Sequence, residues 1–444
     1  MRKPRLLHLL VLIVAVMLGS IACGRRAATD NAAPPDVLAA DLDSAVRPGT
    51  DFFTYANGGW INRNPIPASE STYGIGNEVQ DDIYAKLRTI SQQAAAADHP
   101  APGSDQQKIG DFWAMANDTA HADQLGLTPL QPQLDRIATV QTPAEALVVA
   151  GQLEPLGVGA FYNFGIEQDE KNSADMTVHL GQGGLGLPNR DFYFNNEAGV
   201  VNIRKEYVAH LARELGMLGE SPAVANANAA AVMKFETSLA TASRKLADLR
   251  DPDRNYNKMT PAELTARYSP SIVWNERLAS LKLAPATVIV GQPEFFAGLN
   301  RALAATPAPV LRDYLRLHLL AAYAPYLGQK YFDESFRFSS VLSGQKEPRP
   351  LWKRSLDSEN RALGMVLGRI FVAAYFPPAA KQRYTNLVEA IRSAYRVRIA
   401  KLDWMSEATK AKALVKLNAI TPKVGYPDHW KDYSALKVAR NSYA

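Results

Sequence analysis

Two distant segments of this chain open with the same four residues, Thr142-Pro143-Ala144-Glu145 and Thr260-Pro261-Ala262-Glu263. Each predicts a helix start. The Thr hydroxyl caps a free backbone N–H, Pro takes a position where no donor is needed, and the Glu reaches back to the cap. Leu147, Val148 and Leu153 continue the first helix and Leu264 the second. Ser406-Glu407-Ala408-Thr409 opens another, with Lys410, Lys412 and Lys416 on a polar side and Leu414 and Leu417 on an apolar side. Helical patterns dominate from about residue 75, and no long-period repeat accompanies them. Strand patterns are few. Asp175 to Leu180 alternates, and Thr287-Val288-Ile289-Val290 is a β-branched run, stopped by Gly291, that reads as a short strand buried on both faces. A mainly α chain with small β elements is expected.

Hydrophobic residues make up 47% of the 444 and charged residues 21%, enough for a large core. The net charge of +5 misleads, because Arg2, Lys3 and Arg5 supply three positives at the N-terminus. Without residues 1–22, Lys+Arg falls to 46 against 44 Asp+Glu. No basic cluster with interleaved aromatics exists, so a nucleic-acid partner is not expected.

Residues 1–22 read as an export signal: the three basic residues precede a run of ten apolar ones from Leu9 to Leu18, too short to span a bilayer. Gly19-Ser20-Ile21-Ala22 leads into Cys23, the only cysteine, in the manner of a bacterial lipoprotein cleavage site. Lipidation at Cys23 is expected, with the lipid membrane as a partner; simple secretion with a leftover thiol is the alternative. Residues 23–45 read as a flexible tether.

The seven histidines carry no zinc signature. His99 and His121, the nearest pair, are 22 residues apart, and none of the seven precedes a Glu. HExxH, two His one helical turn apart with Glu as base, is absent. A nucleophile elbow and a P-loop are absent too. Gly181 to Gly186 spells G-x-G-x-x-G but runs into Leu187-Pro188, which is no helix start. Asp81-Asp82, and Asp51 with Glu78, read as solvated surface. No catalytic residue and no metal ligand is therefore assigned within the chain.

The aromatic stretch Asp51-Phe52-Phe53-Thr54-Tyr55-Ala56-Asn57-Gly58-Gly59-Trp60 reads as an anchor that docks into a core and turns sharply at its Gly pair. Its wording resembles the start of the neprilysin-like (M13) zinc metallopeptidases. Further resemblances follow in order: Gly183-Gly184-Leu185-Gly186-Leu187-Pro188-Asn189-Arg190-Asp191-Phe192-Tyr193, Asn255-Tyr256-Asn257-Lys258-Met259-Thr260, Trp352-Lys353-Arg354, Leu402-Asp403-Trp404-Met405, Thr409-Lys410 and Gly425-Tyr426-Pro427-Asp428. The resemblance covers roughly residues 41–434. It implies the multi-helix, substrate-enclosing lobe of the neprilysin-like fold over 46–434, with 435–444 leading toward a catalytic half that is missing. Zinc and peptide substrates then belong to the full-length family enzyme, and none of the zinc chemistry to this chain. Family positions for a substrate-gripping Arg, Asp and Arg fall on Thr72, Asn77 and Gln80. Thr offers no fork for a carboxylate, which favours internal cleavage of peptides over C-terminal dipeptide release. The implied setting is the periplasmic side of a Gram-negative envelope. Two further readings stay open: a non-catalytic peptide-binding or interaction lipoprotein, and a lobe completed in trans by a separate catalytic chain.

Overall fold

The computed structural model describes residues 37–444. The signal segment, Cys23 and the tether up to residue 36 lie outside the described residues. The described chain divides into two compact units: the smaller holds residues 37–67 with Thr72–Gly74, the larger Ala68–Ser71 and Ile75–Ala444.

In the smaller unit, α1 (Val37–Asp41) and α2 (Phe52–Arg63) pack together. Residues 37–41 thus form a helical turn within the stretch read as tether. Asp51 caps α2 by accepting the Thr54 N–H at 3.0 Å, and Arg63 in its last turn donates to Ala40 O and Asp41, both at 2.6 Å. The Gly pair makes no turn. It sits inside α2, where a Cβ on Gly58 would lie 2.7 Å from the Asp43 Cβ and one on Gly59 2.6 Å from the Ala40 carbonyl. The glycines serve close approach, and the expected sharp turn is corrected to a helix. Phe52 and Phe53 stay 68% and 67% exposed, so the anchor is Trp60, stacked on Tyr73 at 6.1 Å.

The larger unit runs α3 (Ile75–Ala95), α4 (Asp105–Asn117), α5 (Thr119–Leu125), α6 (Gln131–Ala138), α7 (Pro143–Leu153), β1 (Tyr162–Asp169), β2 (Asn172–Gln182), α8 (Asp191–Phe194), α9 (Ala198–Met217) and α10 (Pro222–Ala242). It continues through β3 (Asn257–Met259), α11 (Pro261–Tyr268), α12 (Trp274–Ser280), β4 (Val288–Val290), α13 (Pro293–Ala305), α14 (Ala308–Tyr323), α15 (Gln329–Ser343), α16 (Leu351–Tyr375), α17 (Pro378–Ala400) and α18 (Glu407–Ala419). The structure is 62% helical, mainly α as expected. Thr142 and Thr260 cap α7 and α11 with the reciprocal Glu bonds that their sequences predict, and Ser406 accepts the Thr409 N–H at 3.2 Å at the head of α18.

One four-stranded sheet has the order β1-β2-β4-β3; β1/β2 is an antiparallel hairpin, β4 joins β2 in parallel, and β3 runs antiparallel to β4. β2 and β4 fall where alternation and the β-branched run place them, and β4 is buried throughout. The main core extends from Leu130 to Phe338 and centres on the rings of Phe161, Tyr162, Phe235, Trp274, Phe296 and Tyr314. A second cluster, Ile90, Ala94, Ile109, Leu363, Val366 and Leu367, joins α3, α4 and α16.

Candidate functional site

The Gly-rich segment after β2 is held by buried polar side chains. Tyr314 donates its hydroxyl to Gly184 O at 3.0 Å and accepts the Phe161 N–H at 2.9 Å, so one phenol pins both ends of the hairpin. Gly184 needs its freedom, at φ +73°. Gly186 allows a closer approach: a Cβ there would stand 1.8 Å from the Tyr207 hydroxyl. Beneath the segment lies Glu236 of α10, 1% exposed, accepting from Tyr193 Oη at 2.6 Å and Tyr207 Oη at 2.9 Å. Burial pushes the Glu236 carboxyl up to about 7, against its hydrogen bonds from Tyr193 and Tyr207.

Tyr207, His210 and Glu214 share one face of α9. The His210 ring stacks on Phe338 at 4.8 Å, its Nδ1 lies 2.8 Å from Glu334 Oε1 and its Nε2 3.5 Å from Glu214 Oε2. Arg213 Nε also donates to Glu334, at 2.8 Å. Burial alone would raise Glu334, but the bonds from His210 and Arg213 outweigh it and hold that carboxyl below the usual range. Glu214 goes the other way: burial lifts it to about 7, with His210 opposing and Glu334 adding. A cavity of about 350 Å³ opens here, lined by Gly186, Tyr207, His210, Glu214, Glu236 and Phe338 among others. His318 lines it too; burial pushes it down to about 4, so it is neutral at pH 7, and its Nδ1 sits 2.9 Å from Gly159 O.

These groups do not fit a zinc ion. A catalytic site needs three converging protein ligands and an open position, whereas His210 faces carboxylates from opposite ring nitrogens. Among the described residues no group of three or more His, Cys, Asp or Glu is placed to hold a metal. The Tyr193 and Tyr207 hydroxyls are raised by burial and then by the Glu236 charge, which disfavours the phenolate a nucleophile would require. The network is a scaffold for the Gly-Leu-Gly-Leu-Pro segment.

The other motif blocks also tie structure together. Lys258 Nζ and Tyr256 Oη meet the buried Asp169 at the end of β1 at 2.7 and 3.0 Å, clamping the hairpin. Trp352 meets Tyr84 edge-on at 6.2 Å, Lys353 pairs with Asp81, and the Arg354 guanidinium lies 3.6 Å over the Phe332 ring. Lys381 Nζ donates to Tyr426 O and Asp428 at 2.8 and 2.6 Å. Of the residues at substrate-facing family positions, Asn77 and Gln80 lie one turn apart at the start of α3. Thr72 is exposed and belongs to the smaller unit. Cys23 lies outside the described residues. Sequence reasoning missed Glu236, His210, Glu214 and Glu334; the spacing of 207, 210 and 214 on one helix face was the available signal.

The sequence profile of peptidase family M13 matches residues 48–427. The chain belongs to that family. It is 26% identical to endothelin-converting enzyme 1 of Bos taurus over 422 residues, 91% of this chain and 55% of that protein. The chain thus spans about half the length of the curated relatives it matches. Among solved structures, the Mycobacterium tuberculosis zinc metalloprotease Zmp1 in complex with an inhibitor superposes with a TM-score of 0.83 at 31% identity, over 90% of this chain and 61% of that one. PepO from Lactobacillus rhamnosis shares the fold, with a TM-score of 0.79 at 22% identity over 89% of this chain and 63% of that one.

Proposed function

We propose that this chain is the helical, substrate-enclosing lobe of an M13 zinc metalloendopeptidase, selecting peptides by size and positioning them. The zinc chemistry is supplied by a catalytic segment outside these residues. One observation carries the reading: the fold shared with Zmp1, a zinc metalloprotease, at a TM-score of 0.83 over 90% of this chain. Thr72, Asn77 and Gln80 face the substrate in this reading. Three uncharged side chains offer no bidentate cation for a free carboxylate, so internal cleavage is favoured. Export and lipidation at Cys23 would hold the lobe at the periplasmic face of a Gram-negative membrane. Among the described residues no single helix is long and apolar enough to cross a bilayer.

The test is co-expression with the zinc-bearing segment of an M13 peptidase. The pair should cleave short peptides, spare folded proteins, and treat free and amidated C-termini alike. A strong demand for a free C-terminal carboxylate, or cleavage of folded proteins, would count against the reading.

A further inference from the structure

The cavity beside α9 is lined by a carboxylate that the surrounding groups leave weakly paired. Glu214 is 3% exposed. Among the described residues its one polar contact is His210 Nε2, at 3.5 Å. That is long for an N–H···O bond. The stronger donors turn elsewhere: His210 Nδ1 and Arg213 Nε both lie 2.8 Å from Glu334. Glu236, which lines the same cavity, already accepts from Tyr193 and Tyr207. A buried carboxylate with one weak partner is costly, and a cation placed beside it offsets that cost. Other groups at the cavity are acceptors as well. Gly159 O can only accept, so His318 Nδ1 carries its hydrogen. The ring is neutral at pH 7, which leaves Nε2 a lone pair with no partner among the described residues. The Tyr207 hydroxyl gives its one hydrogen to Glu236 and keeps its lone pairs. Apolar surface completes the lining: Leu211, Leu317 and Phe338 are buried, and the Phe338 and Tyr207 rings lie 5.2 Å apart. Ala321 and Ser339 line the cavity too and are exposed, so it opens to solvent.

We infer that this cavity binds a small organic ammonium, a protonated amine carried on an apolar skeleton. Such a cation brings three N–H donors to a set made of a carboxylate, lone pairs and ring faces. Its hydrocarbon part fills the space against Leu211, Leu317 and Phe338. Competing classes fit less well. An anion would meet the Glu214 and Glu236 carboxylates, and an alcohol brings one donor and no charge. The volume of about 350 Å³ is that of a small-ligand site.

The probe is phenethylammonium, titrated by calorimetry into the whole chain at pH 8, where Glu214, lifted by burial to about 7, is ionised. Phenethyl alcohol offers the same skeleton without the charge. The ammonium should saturate one site and bind at least about tenfold tighter than the alcohol. Glu214→Gln keeps the shape and removes the charge. It should weaken the ammonium by at least about tenfold, the scale of a lost charged hydrogen bond, and leave the alcohol unchanged. A merely structural role would move both ligands together. Ala321→Trp, at an exposed helix position on the rim, should exclude both ligands. Glu276→Gln, an exposed carboxylate on α12, should change neither. Non-saturating heats with the wild type overturn the inference, as does equal affinity for the two ligands. So does a Glu214→Gln variant that binds the ammonium undiminished or weakens both ligands alike. If Glu214→Gln fails to melt cooperatively, Ala321→Trp decides: ammonium binding kept at wild-type strength overturns the inference, and its loss with an unchanged melting temperature supports it.

Discussion

Helices α9, α10 and α17 have nearly the same length, 20, 21 and 23 residues, but opposite fates. α9 buries Tyr207, His210, Leu211, Glu214 and Leu215, and α10 buries Val232, Phe235, Glu236 and Leu239 among others; α17 buries nothing. The central region is completed from within. Apolar side chains fill its core, and its buried carboxylates find phenols, a guanidinium and an imidazole inside the same chain. The C-terminal helices are held along one side by α18 and the Tyr426 loop and present a stripe of large apolar groups, Tyr384, Leu387, Ile391 and Tyr395 of α17, on the other. An amphipathic pattern therefore predicts a face that wants cover, and does not say whether the chain itself supplies it. Mutations should consequently cost much in the central region and little along the α17 stripe.

The largest loss should follow Phe296→Ala. This ring is fully buried against Tyr162, Trp274 and Phe295, and truncation should cost about 3–5 kcal/mol in chemical denaturation. Gly186→Ala should cost about 1–3 kcal/mol, because the new methyl displaces Tyr207 from Glu236; a wild-type melting temperature would mean that the close approach is unimportant.

Glu359 tests the buried charges by pH. It is fully buried on α16, accepts the Ser91 hydroxyl at 2.6 Å, and burial raises it from 4.5 to about 7. The folded state therefore holds a proton that the unfolded chain has released between those values. Its stabilising effect is complete below about pH 4.5 and is lost as pH rises through 7. Stability of the wild type should fall between about pH 5 and pH 8, and Glu359→Gln should flatten that fall. An identical slope in the variant would contradict the assignment.

Smaller effects complete the comparison. Thr142→Ala removes the cap of α7 and should cost about 1 kcal/mol. Leu387→Ser on the α17 stripe should change stability by no more than about 0.5 kcal/mol while lowering the binding of a hydrophobic dye. A loss of several kcal/mol there would erase the distinction between the two regions.

Much of this fold was legible because its signals are local. Thr142, Thr260 and Ser406 each announce a helix through chemistry complete within four residues, and Val288 to Val290 announces a buried strand by β-branching. β1 and β3 were not legible: Tyr162 to Asp169 lacks a clear alternation and becomes a strand by folding back on the adjacent β2, and Asn257 to Met259 becomes one by pairing with β4, a partner distant in sequence. The Gly58-Gly59 pair misled for the same reason: the need for glycine comes from Asp43 and Ala40 packed across α2, not from a turn. The polar network was hidden likewise, because Glu236 acquires meaning only once Tyr193 and Tyr207 reach it. The family was legible in the ordered motif blocks, most of which turn out to clamp one element to another.

The most direct test of the proposal that the zinc chemistry lies outside these residues is metal analysis of the homogeneous chain combined with a peptide-cleavage assay with and without chelator. Zinc chemistry needs a metal-activated water and a carboxylate to take its proton, and among the described residues no group of three or more His, Cys, Asp or Glu is placed to hold a metal. The account predicts no stoichiometric zinc and no cleavage. Chelator-sensitive cleavage by the purified chain would contradict it, and would require a metal site assembled from its scattered histidines.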